Sequence, residues 1–139
     1  LGNFLPSLFG VTNKERELML IALWIVNILL AAAMLGAGTM KSIKTKEAIV
    51  AGGMAWADDF QPAAIKGIGA LEVVGAVGLI VPLATGILPI LAPIAATGLA
   101  IVMLGAVAVH RRRNEPVMPA LAFAILAIAS AVIGFIAVS

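Results

Sequence analysis

The chain contains no cysteine and no tyrosine, and a single histidine, His110. The missing thiols exclude disulfides, thiolate metal sites and Cys-x-x-Cys redox chemistry. One histidine excludes a multi-histidine haem or metal site within this chain. Charge is scarce as well: 12% of the residues are charged, with nine Lys/Arg against seven Asp/Glu. No basic stretch interleaved with aromatics is present, so nucleic acid is not an expected partner.

What fills the 139 residues is apolar, at 63%, with a mean hydropathy of +1.16. Soluble domains average about 45–50% apolar and roughly 25% charged. So small a chain leaves too much surface exposed to hide this much apolar material in a core of its own. The expected partner of that surface is the lipid bilayer.

Four apolar stretches are long enough to cross it, a spanning helix needing ~20 residues. They cover about residues 18–40, 62–82, 89–109 and 117–138. The fold class expected is all-α: an antiparallel bundle of four transmembrane helices. Residues 1–17 form an amphipathic tail before it, and residues 18–139 the membrane domain. In the tail, Leu1, Phe4, Leu5, Leu8 and Phe9 fall at helical spacing, with Pro6 and Gly10 limiting any helix to a short piece. Such a tail suits the headgroup layer or a partner subunit.

Residues 41–61 form the one sizeable loop, too polar and too rich in glycine to span. Ser42 or Thr45 suits the cap of a short surface or re-entrant helix, which Gly52-Gly53 would end. Trp56 and Phe60 suit the membrane interface. Asp58 and Asp59 stand where they would cap the second span and complement its dipole. The run His110-Arg111-Arg112-Arg113-Asn114-Glu115-Pro116 stops the third span.

Orientation follows from lysine and arginine. Seven of them (Lys41, Lys44, Lys46, Lys66, Arg111, Arg112, Arg113) fall on one side and two (Lys14, Arg16) on the other. Loops one and three are therefore expected in the cytoplasm and both termini outside.

Small residues at four-residue spacing suggest close helix packing: Ala32/Gly36, Ala33/Ala37, Ala127/Ala131 and Ser130/Gly134. Polar residues inside the spans carry more information. Glu72 sits near the middle of the second span between Gly69 and Gly75. A carboxylate there costs at least ~2.5 kcal/mol to insert, so it must point into the bundle, protonated or paired. A structural tie, a ligand or proton role and a contact with another subunit all stay open for it. Its preferred partner is Lys41, snorkelling inward; the alternative is that Lys41 flanks headgroups. Lys66 faces elsewhere on the helix. Asn27 is expected to make an interhelical hydrogen bond. His110 is expected at the interface, with a quinone-headgroup contact or pH sensing as the sharper reading. No metal site is expected.

Gly38-Thr39-Met40-Lys41 ending the first span, Gly69-Ala70-Leu71-Glu72-Val73-Val74-Gly75 in the second, Gly78-Leu79-Ile80-Val81-Pro82 closing it, and His110 after the third resemble the DoxX-like family. Gly53-Met54-Ala55-Trp56 followed by acids looks like the same family, whose likeness covers about residues 20–138. The resemblance implies a four-helix protein of the bacterial plasma membrane. Some relatives are subunits of thiosulfate:quinone oxidoreductases, others are tied to oxidative stress, and distant eukaryotic ones act as membrane chaperones.

Three functions follow as expectations. The first is a non-catalytic accessory or assembly subunit of a larger membrane complex, since no catalytic constellation is visible. Its contacts with other subunits would run through the tail and the Gly/Ala helix faces. The second is a quinone-facing subunit of an oxidoreductase, with Glu72, Lys41 and His110 as ligand or proton groups and quinone as the only cofactor to consider. The third, and least favoured, is a small transporter.

Overall fold

The computed structural model describes residues 4–138; Leu1, counted in the amphipathic tail, lies outside them. Six α-helices are present among these residues: α1 (Phe4–Leu8), α2 (Asn13–Ile43), α3 (Lys46–Ala51), α4 (Pro62–Thr85), α5 (Leu91–Arg112) and α6 (Met118–Val138). A 3-10 turn, Ala55–Asp59, separates α3 from α4. α2, α4, α5 and α6 are each long and apolar enough to cross a membrane. They form an antiparallel bundle in which α2 and α5 each pack between α4 and α6.

The boundaries differ from the sequence expectation in instructive ways. α2 starts at Asn13, inside the expected tail. Thr12 accepts from the Glu15 backbone N–H, and the Glu15 carboxylate accepts from the Thr12 N–H at 2.8 Å. This capping box satisfies two N–H groups that the helix start would leave unpaired. The Thr-x-x-Glu signal was present in the sequence and outweighs the local polarity of Lys14, Arg16 and Glu17. At 31 residues, α2 is about 46 Å long, more than the ~30 Å of a hydrocarbon core. α4 runs on past Pro82 and ends where Gly86 adopts φ 70°, the left-handed conformation a glycine accepts freely. Pro93 lies in the first turn of α5, where no helical N–H bond is lost.

Two contacts differ from those the sequence suggests. Asp58 and Asp59 do not cap α4: its cap residue is Gln61, without a side-chain bond, while Asp59 pairs with Arg113. Ala32 and Gly36 are not in a helix interface. The buried stripe of α2 runs Leu23, Asn27, Leu30, Ala31, Met34, Gly38, Lys41, and Ala32 and Gly36 fall off it, exposed on the outer face. Ala33 and Ala37 line a cavity, whereas Ala127, Ser130 and Gly134 are buried against neighbouring helices.

The closest backbone approach is between α2 and α4. A Cβ on Gly38 would lie 2.6 Å from the Gly69 carbonyl oxygen, and one on Gly69 2.7 Å from that of Gly38. Deeper in the bundle, Asn27 ties three helices. Its Nδ2 donates to the Leu79 carbonyl at 3.0 Å, and Ser130 Oγ donates to its Oδ1 at 2.5 Å.

Gly69→Ala should therefore push α2 from α4 and lower stability by about 1–3 kcal/mol, while Gly67→Ala, with open space beside it, should not. Asn27→Ala should cost about 1 kcal/mol. Unfolding of the three variants in bicelles checks the ranking; equal behaviour of the two glycine variants would refute the contact.

Candidate functional site

Helix geometry explains how Lys41 and Glu72 meet. Lys41 lies in the last turn of α2 and one turn from Gly38; Glu72 lies one turn from Gly69. Side chains on a helix lean toward its N-terminus. In this antiparallel pair Lys41 therefore leans down into the bundle and Glu72 up toward the loop end. Lys41 Nζ donates to both carboxylate oxygens, at 2.7 and 2.9 Å. The side chains are 9% and 1% exposed, so this is a buried, bidentate ion pair. Lys66 stays on the surface and donates to the Ser42 carbonyl at 2.9 Å.

Beside the pair lies a cavity of about 470 Å³. Its walls are mostly apolar: Met34 and Ala37 from α2, Val102 and Ala106 from α5, Phe123 from α6. Lys41 and Glu72 line one side. Its cover comes from the loop: Thr45 caps α3 through the Ala48 N–H, Gly52 ends it, and the chain turns so that Met54, Trp56 and Phe60 face the cavity. Ala57 is buried with Ile49 and Ile65 and anchors this cover. Lys41 Nζ sits 5.7 Å from the Trp56 ring centre, a cation–π distance. Phe60 meets Trp56 edge-on at 5.6 Å.

His110 lines the same cavity from the end of α5. Asn114 adopts φ 56°, and the Glu115 and Asn114 N–H groups bond back to the His110 and Arg111 carbonyls. This Schellman turn folds Glu115 against the helix end. His110 Nδ1 then lies 2.8 Å from one Glu115 oxygen, and Arg113 Nε donates to the other at 2.7 Å. Arg113 also donates to Asp59 in the cavity's cover. The Arg113 bond, and then that from His110, holds the Glu115 carboxyl below the usual carboxylate range. Glu115 and then Asp59 raise Arg113 in turn.

Of the residues singled out from sequence, Lys41, Glu72 and His110 thus come together around one cavity. Asn27 is not among its lining residues. Trp56, Phe60, Glu115, Arg113 and Asp59 were not foreseen as site residues. Their signals were present: an Asn-Glu-Pro ending for a helix, and aromatics beside a Gly-Gly break. Neither revealed that both ends converge. Among the described residues no cluster of His, Asp and Glu has the makings of a metal site.

Removing one member of the buried pair leaves its partner uncompensated, at a cost of ~3–5 kcal/mol. Lys41→Met should show that loss, and Lys41→Met/Glu72→Leu should recover most of it. Unfolding in bicelles decides; a double variant no more stable than the single one would deny the coupling. Glu115 has its folded-state pKa lowered, so its contribution is full above the ordinary carboxylate range and fades as pH falls through the folded value. Thermal unfolding followed from neutral to acid pH should show that fade, and Glu115→Gln should flatten it.

No curated protein and no solved structure matches the chain. The family comparison does return a match, over residues 25–132. That region holds Lys41, Glu72, the cavity cover and His110. By this match, across most of its length, the chain belongs to the DoxX-like family.

Proposed function

We propose that this multi-pass membrane protein is a non-catalytic accessory subunit that holds a neutral, amphipathic ligand of the quinone class in its bundle. The observation that carries the reading is the cavity. Its volume falls in the range of small-molecule sites, about 300–1,000 Å³, and its walls are apolar with a few polar groups at one end. The two full charges among its lining residues match each other, Lys41 against Glu72. A charged ligand would enter an apolar cavity without a free counter-charge and would lose its hydration. A neutral ring suffers less. Two Lys41 N–H bonds go to Glu72, which leaves the third for a carbonyl oxygen. Trp56 offers an aromatic surface in the cover.

The same reading sets the protein in a bacterial plasma membrane, with the Lys/Arg-rich cavity end in the cytoplasm and both termini outside. Its partners would be larger membrane subunits. Exposed Phe4, Leu8 and Phe9 on and beside α1, and the outer Ala32/Gly36 face, offer apolar surface for them.

With Trp24 replaced by Phe, Trp56 is the only fluorophore of its kind. A short-chain benzoquinone should then quench it saturably, and Ala106→Phe, which fills the cavity, should abolish saturation. Linear quenching that is alike in both proteins would refute the ligand reading. Purification in mild detergent should bring down larger subunits; a chain that always emerges alone argues against the accessory role.

A further inference from the structure

The geometry points to His110 and Glu115 as a proton-accepting dyad for a hydroxyl group on the cavity ligand. This inference rests on the ligand reading above and assigns the cavity a chemical step that reading lacks. Glu115 is ionised at neutral pH and can only accept hydrogen bonds. Nδ1, 2.8 Å away, therefore carries a proton. In the neutral ring the lone pair then lies on Nε2, which has no protein partner among the described residues. The ring itself lines the cavity. A carboxylate that fixes the tautomer of an imidazole leaves the second nitrogen as a base, and at a residue that lines a ligand cavity this is a general-base arrangement.

The step balances within the site. The ligand O–H bond breaks and an Nε2–H bond forms. The bonding electrons stay on the ligand oxygen, and no electron changes owner. The imidazolium formed faces the Glu115 carboxylate, 2.8 Å from Nδ1, and the ligand oxyanion shares a cavity with the Lys41 ammonium. The charged groups at this end of the bundle include Lys41 on α2, Glu72 on α4, Asp59 in the cover, Arg111 and Arg112 on the helix of His110 itself, and Arg113 and Glu115 in the turn. α6 contributes none. Arg113 holds Glu115 in place and, through Asp59, ties the dyad to the cover.

Because His110 is the only histidine, ¹⁵N-histidine NMR of protein purified through a histidine-free tag reports this ring alone. The Nδ1–H tautomer is expected at neutral pH, and Glu115→Gln should lose it. The probe is 4-nitrophenol carrying a short alkyl chain, whose phenolate is coloured. On binding in the Trp24→Phe protein, its apparent acid dissociation constant should rise about tenfold or more, with His110 turning to imidazolium in step. In His110→Gln, probe at saturating concentration, read by Trp56 quenching, should show no rise in ionisation over the free probe. Saturable binding with unshifted ionisation, or an Nε2–H tautomer in the wild type, would overturn the dyad and leave the ligand reading standing. No saturable quenching by either the benzoquinone or the nitrophenol would remove that reading itself. The tautomer measurement needs no variant, so it stands even where a substitution prevents folding.

Discussion

A lysine ammonium and a glutamate carboxylate have been taken out of water between α2 and α4, and each can stay there only while the other is in reach. Desolvating the two costs about as much as their attraction returns. What the pair supplies is therefore specificity more than stability. Reach demands that the two backbones touch, and they touch where Gly38 meets Gly69. A slip of one residue along either helix would turn a charge toward lipid. The pair and the glycines together fix the register of α2 on α4, and the rest of the bundle is assembled on that register.

The cavity is a consequence of how the other contacts are distributed. α4 meets α5 closely where Gly75 faces Leu99 and Gly78 faces Ala95, and α5 meets α6 where Gly134 faces Pro93. Near the Lys/Arg-rich end the facing residues include Ala33, Ala37, Gly105 and Ala106. Side chains this small do not fill the space between helices held apart by their own ends. The loop closes the gap from above with its largest groups, Met54, Trp56 and Phe60. Small walls and a bulky cover leave a partly open cavity, where uniform leucine packing would leave none.

The sequence made the four spans legible because lipid imposes one rule over about 20 residues at a time. Glu72 and Lys41 stood out for the same reason: a charge in an apolar run has few acceptable places. The helix ends were less legible. Thr12-Asn13-Lys14-Glu15 reads as a cap only if the residues after it are helical, and the polar stretch hid that. Asp59 illustrates the deeper limit. Its position before Pro62 suits a cap, but Arg113, 54 residues later, offers a full counter-charge. No local pattern reveals which partner prevails. The cover was hidden likewise: Trp56 and Phe60 fit a membrane interface and a cavity lining equally well, and only the path of the loop decides between them.

The two polar groupings differ in depth, and the difference matters for what the cavity distinguishes. Lys41 and Glu72 are buried within the spans, whereas Asp59 is 54% exposed at the rim. Between them stands His110, at the last turn of α5. Lys41 and Glu72, the two full charges that line the cavity, match each other, so the field inside it is that of a paired dipole. Such a field does not select a ligand by its charge. It selects by where hydrogen bonds can form: a donor at Lys41 and a lone pair at His110 Nε2. A flat molecule with a carbonyl oxygen at one point of its ring and a hydroxyl at another meets both requirements, and its apolar remainder finds the same walls that alkyl chains find in the surrounding membrane.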